Sequence, residues 1–156
     1  MNVVIRAGRD DEGPRLKEIA IAAKGFWGYE PQKVREWADQ GDFTPARLRE
    51  LVVFVAEAGG DAIGWCSLIP KGETSWLEDL WIHPDWIARG VGTRLFRHVA
   101  QYAAGLGAKL LEWEAEPNAI GFYEKHGARY LRDSAVSEWG RTLAVMGVEV
   151  PVGEPS

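Results

Sequence analysis

The chain has 156 residues, 46% of them hydrophobic and 26% charged, and a formal net charge of −5. That length supports one domain with a real core and excludes two comfortable ones. The acidic balance excludes the basic face that nucleic-acid phosphates require, and no apolar run approaches the length of a membrane span.

The start, "MNVVIRAGRDDEGP", has no basic region leading into an apolar segment. A soluble, cytoplasmic protein is therefore expected, with one domain over residues 1–150 and a polar tail over 151–156. The first strand is "VVIRAG", residues 3–8, and acids and a proline then open a helical pattern in which Leu16, Ile19, Ala20 and Ala23 form one stripe, ending near Gly25 or Gly28. A second short helix follows Pro31, with Val34 and Trp37 three apart.

Residues 51–58 and 62–69 are dense in β-branched and aromatic side chains, and the Gly59-Gly60-Asp61 link predicts an antiparallel hairpin. "SWLEDLWIHP", residues 75–84, is a third strand ended by Pro84. From Gly90 onward Val91, Leu95, Val99, Tyr102 and Leu106 keep a helical spacing until Gly105 and Gly107. A strand over 108–115, a short helix after Pro117 closed by Gly127, and two final strands complete the chain. Hairpins in the front half and crossovers in the back half imply an α/β fold of the α+β kind: a mixed sheet of about seven strands flanked by about four helices.

The single cysteine, Cys66, lies in the apolar "AIGWCSLI" and reads as a buried structural thiol. Eight tryptophans exceed ordinary core needs and suit an apolar-walled pocket as well. His98 and His126 have no partners at metal-ligand spacing, so no metal is expected.

The stretch "HPDWIARGVGTRLF" places Gly90 and Gly92 at a strand-to-helix junction. A helix N-terminus offers main-chain N–H groups and the positive end of its dipole to anionic oxygens, provided side chains leave the approach open. Thr93 can add a hydroxyl, and Arg89 or Arg94 a charge. A P-loop is excluded because Thr93 and Arg94 stand where Lys and Ser or Thr belong, and a dinucleotide fingerprint because Leu95 occupies the third glycine position. By itself the spacing is also compatible with an ordinary loop whose glycines only turn the chain.

"LEDLWIHPDWIARGVGTRLFRHV" resembles the cofactor motif of the GNAT superfamily, the acyl-CoA-dependent N-acetyltransferases. There a strand ending in L-x-V-x-P runs into Gln/Arg-x-x-Gly-x-Gly/Ala, whose amides receive the coenzyme A pyrophosphate. Leu80, Trp81, Ile82, His83 and Pro84 match the strand end, and Gly90 and Gly92 match the small positions. Ile87 stands where Gln or Arg is usual and Ala88 where glycine is common. "AEPNAIGFYEKHGARYL" resembles the late motif A-x-x-F-Y-x-x-x-G-F through Ala119, Phe122, Tyr123 and Gly127, with Ala128 replacing the aromatic.

The resemblance implies a single-domain GNAT-like fold and acetyl-CoA as acyl donor. Its contacts would fall on Leu80, Trp81, Ile82, the loop Ile87, Ala88, Arg89, Gly90, Val91, Gly92, Thr93 and Arg94, and on Asn118, Phe122 and Tyr123. Acetyl transfer needs a neutral amine, a polarised carbonyl and a protonated leaving thiolate. The resemblance makes Tyr123 the general acid; a core tyrosine against Phe122 is the alternative. It assigns polarisation to a main-chain N–H near Ile82.

Glu78 and Asp79 are adjacent on a strand, so alternation sends them to opposite faces and only one can serve a pocket. Glu78 is favoured slightly as the base, with a salt-bridged structural carboxylate as the alternative, and His83 reads as a polar rim residue rather than a base. In the family the first helices close over the acceptor. Phe26, Trp27, Tyr29 and Trp37 would then form an aromatic wall with Glu30 pairing a cationic amine, and Trp113 and Glu114 would line the far side. Packing beneath the helices is the alternative for these aromatics.

The expected function is direct acetyl transfer to a primary amine of a small molecule, amino acid or peptide. A non-catalytic acyl-CoA sensor is the alternative, and a protein-interaction domain keeping only the fold is a third class. A homodimer through an exposed edge or "LAVMGVEV" is an analogy with relatives.

Overall fold

The computed structural model describes residues 2–152, so the expected polar tail lies outside the described residues from position 153 on. The elements run β1 (Val3–Ala7), α1 (Gly13–Gly25), α2 (Pro31–Asp39), α3 (Pro45–Glu50), β2 (Val52–Ala58), β3 (Asp61–Ile69), β4 (Thr74–Ile82), α4 (Val91–Gly105), β5 (Leu110–Ala115), α5 (Ile120–Lys125), β6 (Arg129–Asp133) and β7 (Ala144–Glu149). One seven-stranded sheet has the order β1-β2-β3-β4-β5-β7-β6.

The sheet is mixed for a local reason. A tight link can join only antiparallel neighbours, and Gly59 and Gly60, both at positive φ, turn β2 back onto β3. The β4 to β5 connection carries α4, and a crossover of that length makes those strands parallel, pairing Thr74 with Leu110 and Trp76 with Glu112. β5 and β7 then pair antiparallel, as do β6 and β7.

Among the described residues five α-helices stand where about four were expected. α3 is the addition: Thr44 caps it by accepting the Arg47 N–H at 3.3 Å, and Pro45 occupies its first turn. It escaped the sequence reading because six residues with Leu48 alone buried produce no repeating stripe.

Two compact units divide the chain: residues up to Leu68 with Asp79–Val99, and Ile69–Glu78 with residues from Ala100 on. The first is built on the expected α1 stripe. Leu16, Ile19 and Ala20 bury against Val53, Val55 and Trp65, with Leu48 from α3 closing the cluster. The Trp65 Nε1–H donates to the Leu16 carbonyl at 3.0 Å, so its polar edge is satisfied inside the core. At Gly64 a Cβ would stand 2.9 Å from Ile82 Cδ1 and 3.2 Å from the Trp81 carbonyl, so β3 needs glycine where β4 passes. The second unit buries Leu111, Trp113 and Ala115 on one face of β5, the alternation expected of a strand, whereas β7 is buried without alternation from Val145 to Val148.

No helix among the described residues is long and apolar enough to cross a membrane. Cys66 is fully buried, and burial pushes its thiol well above the ordinary range.

Candidate active site

The glycine junction lies in the first unit. β4 ends at Ile82, the His83 N–H is held by the Ile63 carbonyl at 2.9 Å, and Pro84–Trp86 form a 3-10 turn. Leu80, Trp81 and Ile82 are half-buried on the way in. Ile87 is extended, and the chain then reverses through two left-handed residues, Ala88 at φ 62° and Gly90 at φ 81°.

The Arg94 N–H donates to the Gly90 carbonyl at 3.1 Å, the first bond of α4, so Val91, Gly92 and Thr93 form its first turn. In such a turn the N–H groups point along the axis without partners inside the helix. A Cβ built on Gly90 meets nothing within 4 Å, so the approach is open. An open glycine at the start of a fifteen-residue helix leaves room for an anionic group.

The flanking charges are arranged unequally. The Arg94 guanidinium is engaged, donating to the Val3 carbonyl of β1 at 2.6 Å. Arg89 is exposed and stacks over the Trp86 ring at 5.2 Å, which leaves it the better placed of the two for an anionic ligand.

The first unit also gathers most of the aromatics expected around an acceptor. Phe26 and Trp27, at the end of α1, are 52% and 41% exposed and meet edge to face at 5.0 Å. Tyr29 and Trp37 are half-buried, Glu30 is exposed, and Trp37 meets Trp81 edge to face at 5.2 Å. The centre of this group escaped the sequence reading. Lys24 is only 2% exposed, and its Nζ lies 4.9 Å from the Trp37 ring centre, 5.4 Å from that of Tyr29 and 5.8 Å from that of Trp81. The one available signal was a lysine following Ala23 directly on the buried face of α1.

Asp79 sits beside that group. Its carboxylate accepts from the Ser67 hydroxyl at 2.6 Å and from the Trp81 Nε1–H at 3.2 Å. Both bonds favour a positioning carboxylate over one that moves freely. His83 Nδ1 accepts from the Asp85 N–H at 3.2 Å, in keeping with a rim residue.

The second unit holds the remaining candidates. Tyr123 on α5 is 7% exposed, with its ring 4.7 Å from Trp113 and 5.3 Å from Phe122. Trp113, at 1% exposure, backs Tyr123 rather than forming an open wall. Glu78 is exposed, as alternation against half-buried Asp79 requires. Two residues on from the Trp76–Glu112 pair, the strands carry Glu78 and Glu114. Burial, then the charges of Glu78 and Glu138, raise the Glu114 carboxyl above its usual range. The Asn118 side-chain amide donates to Glu116 at 2.9 Å, on the exposed turn before α5.

His98 packs edge to face on Phe54 at 4.4 Å, and burial lowers its proton affinity. Among the described residues no three His, Cys, Asp or Glu side chains are grouped to hold a metal.

A strand running into a glycine-opened helix, inside this strand order, defines an acyltransferase-like fold. The Acetyltransferase (GNAT) family model matches residues 14–128, and the chain belongs to that family. A GCN5-related N-acetyltransferase from Rhodopseudomonas palustris shares the fold with a TM-score of 0.81 and 26% identity over 96% of this chain and 97% of its own. The PaiA N-acetyltransferase of Thermoplasma acidophilum, solved with coenzyme A, has a TM-score of 0.79 at 17% identity, over 96% of this chain and 99% of its own, a likeness of fold alone. An uncharacterized N-acetyltransferase of Methanocaldococcus jannaschii is 30% identical over 145 residues, 86% of this chain but 63% of that protein, so the chain spans under two thirds of that relative. The peptidyl-lysine N-acetyltransferase YjaB of Salmonella typhimurium is 25% identical over 97% of this chain and its own full length.

Proposed function

We propose that this chain transfers an acetyl group from acetyl-CoA to a primary amine of a small molecule, amino acid or peptide, by direct attack and in the cytoplasm. The observation that carries the reading is the open left-handed glycine at the start of α4, with a main-chain first turn behind it. Anion binding by main-chain N–H groups does not depend on side-chain identity, so Ile87 and Ala88 leave it intact. Bound there, acetyl-CoA supplies a thioester, an acyl group already activated toward an amine.

The protein's own groups do the rest. An ammonium cannot attack until it loses a proton, and Glu78 is the exposed carboxylate on β4 suited to take one. On the neighbouring strand, burial first and then the Glu78 charge hold the Glu114 carboxyl above its usual range. Tyr123 supplies the proton to the leaving thiolate, and Trp113 and Phe122 hold its ring in one orientation. The main-chain N–H near Ile82 polarises the carbonyl. Cys66 is excluded as an acyl carrier because a fully buried, hard-to-ionise thiol is neither reachable nor nucleophilic.

The second reading, an acyl-CoA sensor, draws support from Ala88, whose left-handed backbone in the cofactor loop strains a residue with a Cβ.

Two measurements decide. Saturating acetyl-CoA, near one hundred times its dissociation constant, should stabilise the fold by about 2.7 kcal/mol, a melting shift of roughly 5–10 °C. Thiol release should then appear with some member of a panel of primary amines, and Tyr123→Phe should lower kcat by about a hundredfold with the melting temperature kept. Stabilisation with no thiol release on any amine would select the sensor, and no stabilisation at all would sink both readings.

A further inference from the structure

The reversal that leads into α4 brings two of its own side chains together. Trp86 ends the 3-10 turn Pro84–Trp86, and main-chain bonds anchor that turn on both sides. The Trp86 N–H donates to the His83 carbonyl at 2.9 Å, the Ile87 N–H to the Pro84 carbonyl at 3.2 Å, and the His83 N–H to the Ile63 carbonyl of β3 at 2.9 Å. Half-buried on this frame, the Trp86 indole is a fixed platform. Arg89 lies three residues on, exposed, between the left-handed residues Ala88 and Gly90. The turn they impose returns its guanidinium over the Trp86 ring, 5.2 Å from the ring centre.

Stacking and anion binding use different parts of a guanidinium. A ring attracts its face, whereas all five N–H groups lie in its plane and point outward from the edge. A stacked arginine therefore keeps the fork that grips a pair of phosphate oxygens. It has also lost, before any ligand arrives, part of the rotamer freedom that an unsupported arginine loses on binding. Arg94 offers no such fork, because its guanidinium is engaged with the Val3 carbonyl.

We propose that Trp86 is a positioning residue for the acyl donor: it holds the Arg89 guanidinium ready for a phosphate of the donor's nucleotide end. The inference rests on the acetyl-CoA reading for its ligand, and it adds a side-chain device to the main-chain first turn of α4. Both residues belong to one short stretch of the first unit, so the device is local. Coenzyme A presents two phosphate groups there, the diphosphate and the 3′-phosphate, and the test separates them.

Donor binding is measured by titration calorimetry, which needs no turnover, with CoA and with 3′-dephospho-CoA. The proteins are the wild type, Arg89→Gln, Trp86→Leu, Trp86→Phe and the double variant Trp86→Leu/Arg89→Gln, each checked by its melting temperature. Arg89→Gln should weaken CoA binding about tenfold. Trp86→Leu, which removes the ring and leaves the arginine, should weaken it about three- to fivefold, and Trp86→Phe should recover most of that loss. The double variant should bind no more weakly than Arg89→Gln alone, because the ring acts through the guanidinium. If Trp86→Leu does not fold, Trp86→Met takes its place in the cycle.

A loss in Arg89→Gln with both ligands assigns the diphosphate as the partner of Arg89, and a loss confined to CoA assigns the 3′-phosphate. Unchanged CoA affinity in Arg89→Gln overturns the inference. Losses that add in the double variant overturn it too, being the mark of a tryptophan that only supports the fold. CoA binding that depends on both residues, with no thiol release on any amine, sustains the inference while the transfer reading fails. A wild type that binds neither ligand overturns both.

Discussion

Ala88 shows how much one Cβ matters. Its φ of 62° lies in the left-handed region, where an L-residue costs about 1–2 kcal/mol and glycine almost nothing sterically. Ala88→Gly relieves that strain but loosens the unfolded chain, so the net gain should be up to about 1 kcal/mol, measured by urea denaturation. A loss of stability would mean that the Ala88 methyl makes packing contacts that outweigh the strain. Gly90, two residues on at φ 81°, is the opposite case: a Cβ there would collide with nothing but would be held in the same strained backbone. Gly90→Val should cost about 1–2 kcal/mol and raise KM for acetyl-CoA, because the branched side chain stands in the anion's approach. A variant that keeps the wild-type KM would remove the loop from donor binding.

At the scale of elements, β4 and β5 bring two carboxylates onto neighbouring strands. Glu114 holds its proton more tightly in the folded protein than in the unfolded chain, through burial first and then through Glu78 and Glu138. The folded state therefore binds more protons once the pH passes the ordinary carboxylate value near pH 4.3, and stability is lost as pH rises from there through the raised folded value. Glu114→Gln removes that proton difference. Urea midpoints across a pH series should show the variant gaining on the wild type from about pH 4.3 upward, with a constant offset below it. A gap that does not change with pH would show that Glu114 ionises as a solvated side chain does. α3 carries a related lesson, since Thr44 and Pro45 form its start signal while its single buried Leu48 forms no pattern, so the cap alone marked the helix.

Across the whole molecule, legibility in the sequence follows the range of the interaction. The order of strands and of the helices other than α3, the β2–β3 hairpin, the parallel step through α4 and the glycine junction were legible, because turn glycines, capping residues and repeat spacing act within a few residues of chain. The separation of Glu78 from Asp79 was legible too, since alternation along one strand decides it. What escaped was the company each side chain keeps. Lys24 reads as a surface lysine at the end of a helix until Trp37 and Trp81 arrive from other elements and bury it. Trp113 reads as a wall residue until β5 turns it under Tyr123.

The sequence by itself therefore determined the family, the order of the elements other than α3 and the glycine junction that opens α4, because backbone geometry is set locally and needs no partner from elsewhere in the chain. Only the tertiary structure decided that Lys24 is buried beside the rings of Tyr29, Trp37 and Trp81, that Asp79 is held by Ser67 and Trp81, and that Glu114 feels the charges of Glu78 and Glu138. The physical reason is that burial and charge act through space, and the distances they depend on exist only once remote segments have packed.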